Sequence, residues 1–185
     1  SEETDVKPKP LFEIGQYPIL WHIMKIYSSY GINDFIICCG YKGYLIKEFF
    51  ANYILHTRDV QIDVKKNKIK IISGSKKIDK WKITLVDTGA ETQTGGRLRR
   101  IKKYIKGTFC LTYGDGLADI NISDLLKFHR KQKTIATMTI VSPPGRFGTA
   151  VVKGSKVIKF DEKPVIDTGW INGGFFVFEP EIFKY

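Results

Sequence analysis

The sequence predicts an α/β fold, a parallel-type sheet with covering helices. Two observations predict it. A helical stretch at 18–30, an apolar strand at 34–39 and a second helical stretch at 42–55 follow one another in β–α alternation. The strand, DFIICC, lacks the polar alternation of a half-exposed strand, so it is expected to be fully buried. The 185 residues are 43% hydrophobic and 26% charged, which is globular composition for one ordinary domain.

The elements follow in order. Residues 18–30 (PILWHIMKIYSSY) carry an apolar stripe, with Pro18 suited to the first helical position and Gly31 to the end. Residues 42–55 place Leu45, Ile46, Phe49, Phe50 and Ile54 on one side of a second helix. Three short strands are expected at 60–64, 68–72 and 81–86; in the second, lysines and isoleucines alternate between faces. A Gly/Thr-rich loop, 88–96, leads into a basic helix, 97–105, with Leu98, Ile101, Tyr104 and Ile105 inward. A buried strand, 108–112, runs into Tyr113-Gly114-Asp115-Gly116. Asn121 or Ser123 caps a helix through Gln132. A strand at 134–141, a hairpin of 150–152 with 157–160 around Gly154, and a last strand at 175–178 complete the pass; 179–185 reads as the first turn of a helix.

The formal charge is 30 − 19 = +11, unevenly placed. Residues 1–60 carry 6 basic and 7 acidic side chains, residues 61–106 carry 14 and 4, and residues 107–185 carry 10 and 8. Nucleic acid is the first suspect for so basic a stretch. A stacking surface needs interleaved aromatics, and between Val60 and Lys106 there are only Trp81 and Tyr104, so no nucleic-acid partner is expected. No apolar run reaches the ~20 residues of a membrane span, and the opening SEETDVKPKP has neither a basic nor an apolar leader region. Cys38, Cys39 and Cys110 are odd in number, and adjacent strand residues face opposite ways. Free thiols in a reducing cytoplasm are expected, and the scattered His22, His56 and His129 make no zinc pattern.

Several short motifs could carry chemistry. In Tyr113–Gly116 a carboxylate between glycines ends an apolar strand, where ligands of open α/β sheets sit; Asp115 could hold Mg²⁺ against phosphate oxygens. A solvated aspartate in a turn explains the tripeptide equally. Lys7-Pro8-Lys9-Pro10 sets two lysines on a stiff segment suited to phosphate, or simply to water. Glu162-Lys163-Pro164 could pair a carboxylate for sugar hydroxyls with an ammonium for phosphate, or form a surface ion pair. Arg97 at a helix start opposes the helix dipole, which favours an anion beside it.

Together the segments KPKP (7–10), PILWHIM (18–24), FIICCGYKGY (35–44), LVDTG (85–89), TGGRL (94–98), TYGDGLAD (112–119), PPGRFG (143–148), EKP (162–164) and INGGFF (171–176) resemble the sugar-phosphate nucleotidylyltransferases. Within them, the cytidylyltransferases acting on glucose 1-phosphate are most similar. The resemblance implies a Rossmann-like mixed sheet with a small β extension, to which residues 60–86 partly belong. It implies CTP and α-D-glucose 1-phosphate as substrates, CDP-glucose and pyrophosphate as products, Mg²⁺ as cofactor, and a homo-oligomer. By position, it implies Lys9, Thr92, Arg97 and Gly114 at the nucleotide, with Lys9 and Arg97 at the phosphates. Asp115 would bind the metal, and Gly148, Glu162, Lys163 and Asn172 would line the sugar-phosphate pocket. The family opens with a strand and a G-G-x-G-T-R loop and places a second metal-binding aspartate further on. The expectation is therefore one transferase domain, 1–185, lacking both and inactive alone. A sister transferase using UTP or dTTP, and an inactive relative, are the alternatives.

Overall fold

Leu20, Ile23, Met24 and Tyr27 stand at i, i+3, i+4 and i+7, and all four are buried on helix α1 (Ile19–Ser29). The computed structural model describes residues 7–73, 79–142, 149–161 and 169–185. Pro18 is the N-cap of α1 and not its first helical residue. Its extended backbone pairs with Glu13 in a small hairpin, β1 (Glu13–Ile14) with β2 (Tyr17–Pro18).

Strands β3 (Asp34–Cys39) and β6 (Lys82–Asp87) pair in parallel, from Asp34 opposite Lys82 to Cys39 opposite Asp87. The expected full burial of β3 does not hold: Asp34 is exposed and only Cys39 is buried. Leu11, Leu20, Met24, Cys39 and Ile46 form the buried cluster beside this pair, with Phe35, Ile37, Ile83 and Leu85 of the two strands packed against it.

The helix expected at 42–55 is broken into α2 (Gly43–Ala51) and α3 (Tyr53–Thr57). The break falls at Asn52, whose side-chain Nδ2 donates to the Glu48 carbonyl and competes there with the regular helical bond from the Asn52 N–H. Strands β4 (Asp59–Asp63) and β5 (Lys68–Ser73) form an antiparallel hairpin. Directly opposed residues share a face, so Val60, Ile62, Ile69 and Ile71 lie on one side and Gln61, Asp63, Lys68 and Lys70 on the other. Ile62, Ile69 and Ile71 are exposed. Helix α4 spans Thr94–Ile101 and tightens into a 3₁₀ turn over Lys102–Tyr104. It buries Ile101 but leaves Tyr104 exposed, against expectation.

The chain divides into two compact units, 1–106 with 114–122, and 107–113 with 123–185. In the second, β7 (Phe109–Thr112), most of α5 (Ile122–Gln132) and β8 (Ala136–Val141) follow in β–α–β order. β11 (Ile171–Phe178) lies between β7 and β8 and runs antiparallel to both. With the parallel β3–β6 pair, this gives the mixed strand pairing that the family resemblance implies. Alternation of strand and helix fixes the relation of β7 to β8, but not which later strand enters between them. β9 (Thr149–Lys153) and β10 (Lys156–Asp161) make the expected hairpin, and Pro180–Lys184 is a 3₁₀ turn. Buried His129 of α5 is hydrogen-bonded to Thr137 Oγ1 (2.8 Å) and Glu179 Oε1 (3.1 Å), and Thr108 Oγ1 also bonds the Glu179 carboxylate (2.9 Å).

Candidate active site

Parallel pairing places the carboxyl ends of β3 and β6 side by side, where open α/β sheets hold their ligands. Thr88, just after β6, is fully buried. Its N–H and its hydroxyl both donate to the Cys39 carbonyl, at 2.8 and 2.9 Å. The Thr88 oxygen then accepts from Arg97 Nη1 at 2.7 Å, while Arg97 Nη2 donates to the Ala90 carbonyl at 3.0 Å. Arg100, one turn on, donates from Nη1 to the Thr88 carbonyl and to Thr92 Oγ1, the latter at 2.8 Å. Two arginines of α4 thus clasp the 88–92 loop. No carboxylate pairs with either among the described residues. Burial pushes the nearby Cys38 thiol above its ordinary pKa, and the positive charge of Arg97 opposes that shift.

Arg97 is not at the helix start: α4 begins at Thr94, and Arg97 N–H makes an internal bond to the Gln93 carbonyl at 2.9 Å. The expected clash with the helix dipole is therefore weaker than position 1 would give. Thr92 and Arg97 are both in this clasp, Thr92 as the acceptor for Arg100.

Lys9, Gly114 and Asp115 come together in the same unit. The Lys9–Leu11 3₁₀ turn follows buried Pro8. Gly114 lies against Pro10; an added Cβ would be 3.1 Å from Pro10 Cγ, a tight contact that would press the two segments apart by a few tenths of an ångström. Lys9 Nζ is 3.8 Å from Asp115 Oδ2, and the two side chains remain 63% and 44% exposed. Lys7 is engaged elsewhere: its 2.7 Å bond and its charge hold the Glu13 carboxyl below the ordinary range.

Asp115 suits a hard cation, with an accessible carboxylate flanked by glycines and, among the described residues, a long ion pair to Lys9. No group of three or more His, Cys, Asp or Glu gathers among the described residues. A single carboxylate of this kind fits a divalent cation that would take its other ligands from phosphate and water.

Asn172 belongs to the second unit. Its Nδ2 donates to the Tyr113 hydroxyl (3.1 Å) and its Oδ1 accepts from Gly174 N–H (2.7 Å), fixing the aromatic ring that precedes Gly114 in the chain. Gly148, Glu162 and Lys163 lie outside the described residues. Trp81 packs against the core and donates to Ser28 Oγ at 2.6 Å. Among the described residues no helix is long and apolar enough to cross a membrane.

The sequence matches the nucleotidyl transferase family over residues 4–185, across both units. The chain belongs to the nucleotidyl transferase family. Among its relatives, it is 53% identical to glucose-1-phosphate cytidylyltransferase of Salmonella typhimurium, over 98% of this chain and 71% of the relative. It is 45% identical to the probable glucose-1-phosphate cytidylyltransferase of Bacillus subtilis, over 100% and 72%. In fold it is similar to a UDP-glucose pyrophosphorylase solved with UDP-glucose, at a TM-score of 0.63 and 14% identity, over 98% of this chain and 72% of that one. The α/β architecture of mixed strand pairs and helices is thus that of nucleotidyl transferases.

Sequence reasoning did not single out Thr88 or Gly40, and it placed Arg100 only as a neighbour of Arg97 near the phosphates. Thr88 had one usable signal, a hydroxyl placed directly after an apolar strand, where a buried polar atom must find partners. Gly40 and Pro10 act through contacts made only on folding.

Proposed function

We propose that the chain catalyses nucleotidyl transfer from CTP to α-D-glucose 1-phosphate, giving CDP-glucose and pyrophosphate. The observation that carries the site is the approach of Lys9 to Asp115, held by Pro10 against Gly114. The choice of CTP and glucose 1-phosphate rests on the activity named for the Salmonella and Bacillus relatives. The nucleophile is a phosphate oxygen of the sugar phosphate, ionised near neutral pH, so no general base is required. It attacks the α-phosphorus in line; one P–O bond forms, the bond to the β-phosphate breaks, and pyrophosphate leaves with the electron pair. The task is to bring two anions together, which is positioning and charge neutralisation. Lys9 and Arg97 hold the triphosphate and stabilise the departing charge, while Asp115 is assigned to the metal and Gly114 to the nucleotide sugar. Mg²⁺, when bound at Asp115, supplies further charge neutralisation at the phosphoryl oxygens. Glu162, Lys163, Gly148 and Asn172 are assigned to the sugar phosphate, Asn172 through its hold on Tyr113.

The two units are read as parts of one transferase domain working in the cytoplasm, in keeping with three free thiols. Homo-oligomerisation is part of the same reading, supported by the exposed Ile62, Ile69 and Ile71 face of the hairpin. Pyrophosphate release by the intact protein, measured across four nucleotides and several sugar 1-phosphates, tests the assignment. CTP with glucose 1-phosphate should give the highest kcat/KM. A preference for UTP or dTTP would replace the nucleotide assignment, and no turnover with any pair would reject the enzyme reading.

A further inference from the structure

The clasp on the 88–92 loop turns on one buried hydroxyl. Thr88 Oγ1 spends its only proton on the Cys39 carbonyl, so toward Arg97 it can only accept. The branched Thr88 side chain is stiff, and both its backbone N–H and its carbonyl are already bonded. The Arg97 guanidinium therefore meets an acceptor whose position and direction are set before any ligand arrives. Two of its five donors go to Thr88 and Ala90, leaving the others for an anion. On the other side stands Gly40, just after β3. A Cβ added there would fall on the Arg97 guanidinium. Gly40 has no positive φ, so its backbone does not demand glycine; the space does.

We infer that Thr88 and Gly40 are positioning residues for nucleotide binding, Thr88 by anchoring the Arg97 guanidinium and Gly40 by leaving the room it fills. The inference rests on the proposed role of Arg97 at the nucleotide phosphates. A long side chain already fixed in place loses less freedom when the ligand binds, and that difference is read as affinity.

The test is a double-mutant cycle on the intact protein, reading CTP affinity by calorimetry and KM by pyrophosphate release. Arg97→Ala should weaken CTP binding by about tenfold to a hundredfold, the range for a hydrogen bond to a charged group. Thr88→Val, which keeps the shape and removes the acceptor, should weaken it by roughly tenfold, leaving KM for glucose 1-phosphate unmoved. Thr88→Ser should restore most of that loss. In the Arg97→Ala background Thr88→Val should cost nothing more, because the group it positions is gone. An equal further loss in that background would overturn the inference. Should Thr88→Val fail to fold, Gly40→Ala makes the same comparison. If Arg97→Ala binds CTP as tightly as the native protein, the proposed role of Arg97 fails and the inference with it. If Arg97→Ala weakens binding while Thr88→Val or Gly40→Ala does not, the inference alone fails.

Discussion

Asp115→Asn separates a catalytic carboxylate from a structural one. The native side chain is 44% exposed and its ion pair with Lys9 spans 3.8 Å, Lys9 being 63% exposed. A solvated pair of that kind contributes about 0–1 kcal/mol. The substitution keeps the shape and should leave the melting temperature within a few degrees of native. Its effect on chemistry should be far larger. Removing one group that stabilises charge in a transition state typically costs about 10²–10³ in kcat, or ~2.7–4 kcal/mol. The assay is pyrophosphate release at saturating CTP and glucose 1-phosphate with Mg²⁺ titrated, alongside a thermal melt. Turnover within about twofold of native at saturating Mg²⁺ would remove Asp115 from the site. A collapse in stability would refute the claim that its native contacts are weak.

Three further outcomes follow from the packing. His129→Ala should destabilise the protein by about 2–3 kcal/mol in urea, since the side chain is buried and its loss strands Thr137 and removes one partner of Glu179; a change under 0.5 kcal/mol would contradict those bonds. Met24→Ala, at 1% exposure in the core, should cost about 2–5 kcal/mol by the same measurement. Burial pushes the Cys110 thiol from 9.0 to about 11. The folded state then holds this proton more tightly than the unfolded one, so its contribution is present below pH 9 and lost as pH rises toward 11. Cys110→Ser should flatten that part of the stability–pH profile; an unchanged slope would show that Cys110 does not contribute.

Much of the molecule was legible from its residues, and the failures are informative. The stripe of Leu20, Ile23, Met24 and Tyr27 identified α1 because helical periodicity is a property of neighbours along the chain. The Lys/Ile alternation identified the β5 hairpin strand for the same reason. The break at Asn52 was missed because apolar spacing continues through it, while its side chain competes for a carbonyl four residues back. β11 entering between β7 and β8 was missed because pairing partners lie far apart in sequence.

The site divides the same way. Residue type made Lys9, Arg97 and Asp115 candidates for phosphate and metal, and the resemblance of their segments to the family gave them their proposed roles. The sequence alone also determined the uneven charge, 14 basic against 4 acidic residues over 61–106. Tertiary structure decided how that charge is used. It placed Arg97 and Arg100 around the buried Thr88, and it turned Lys68 and Lys70 to one face of a hairpin. It also brought Lys9 to Asp115 through the close approach of Pro10 to Gly114. Charge is written residue by residue, whereas the spacing between charges depends on which distant backbones can pack together.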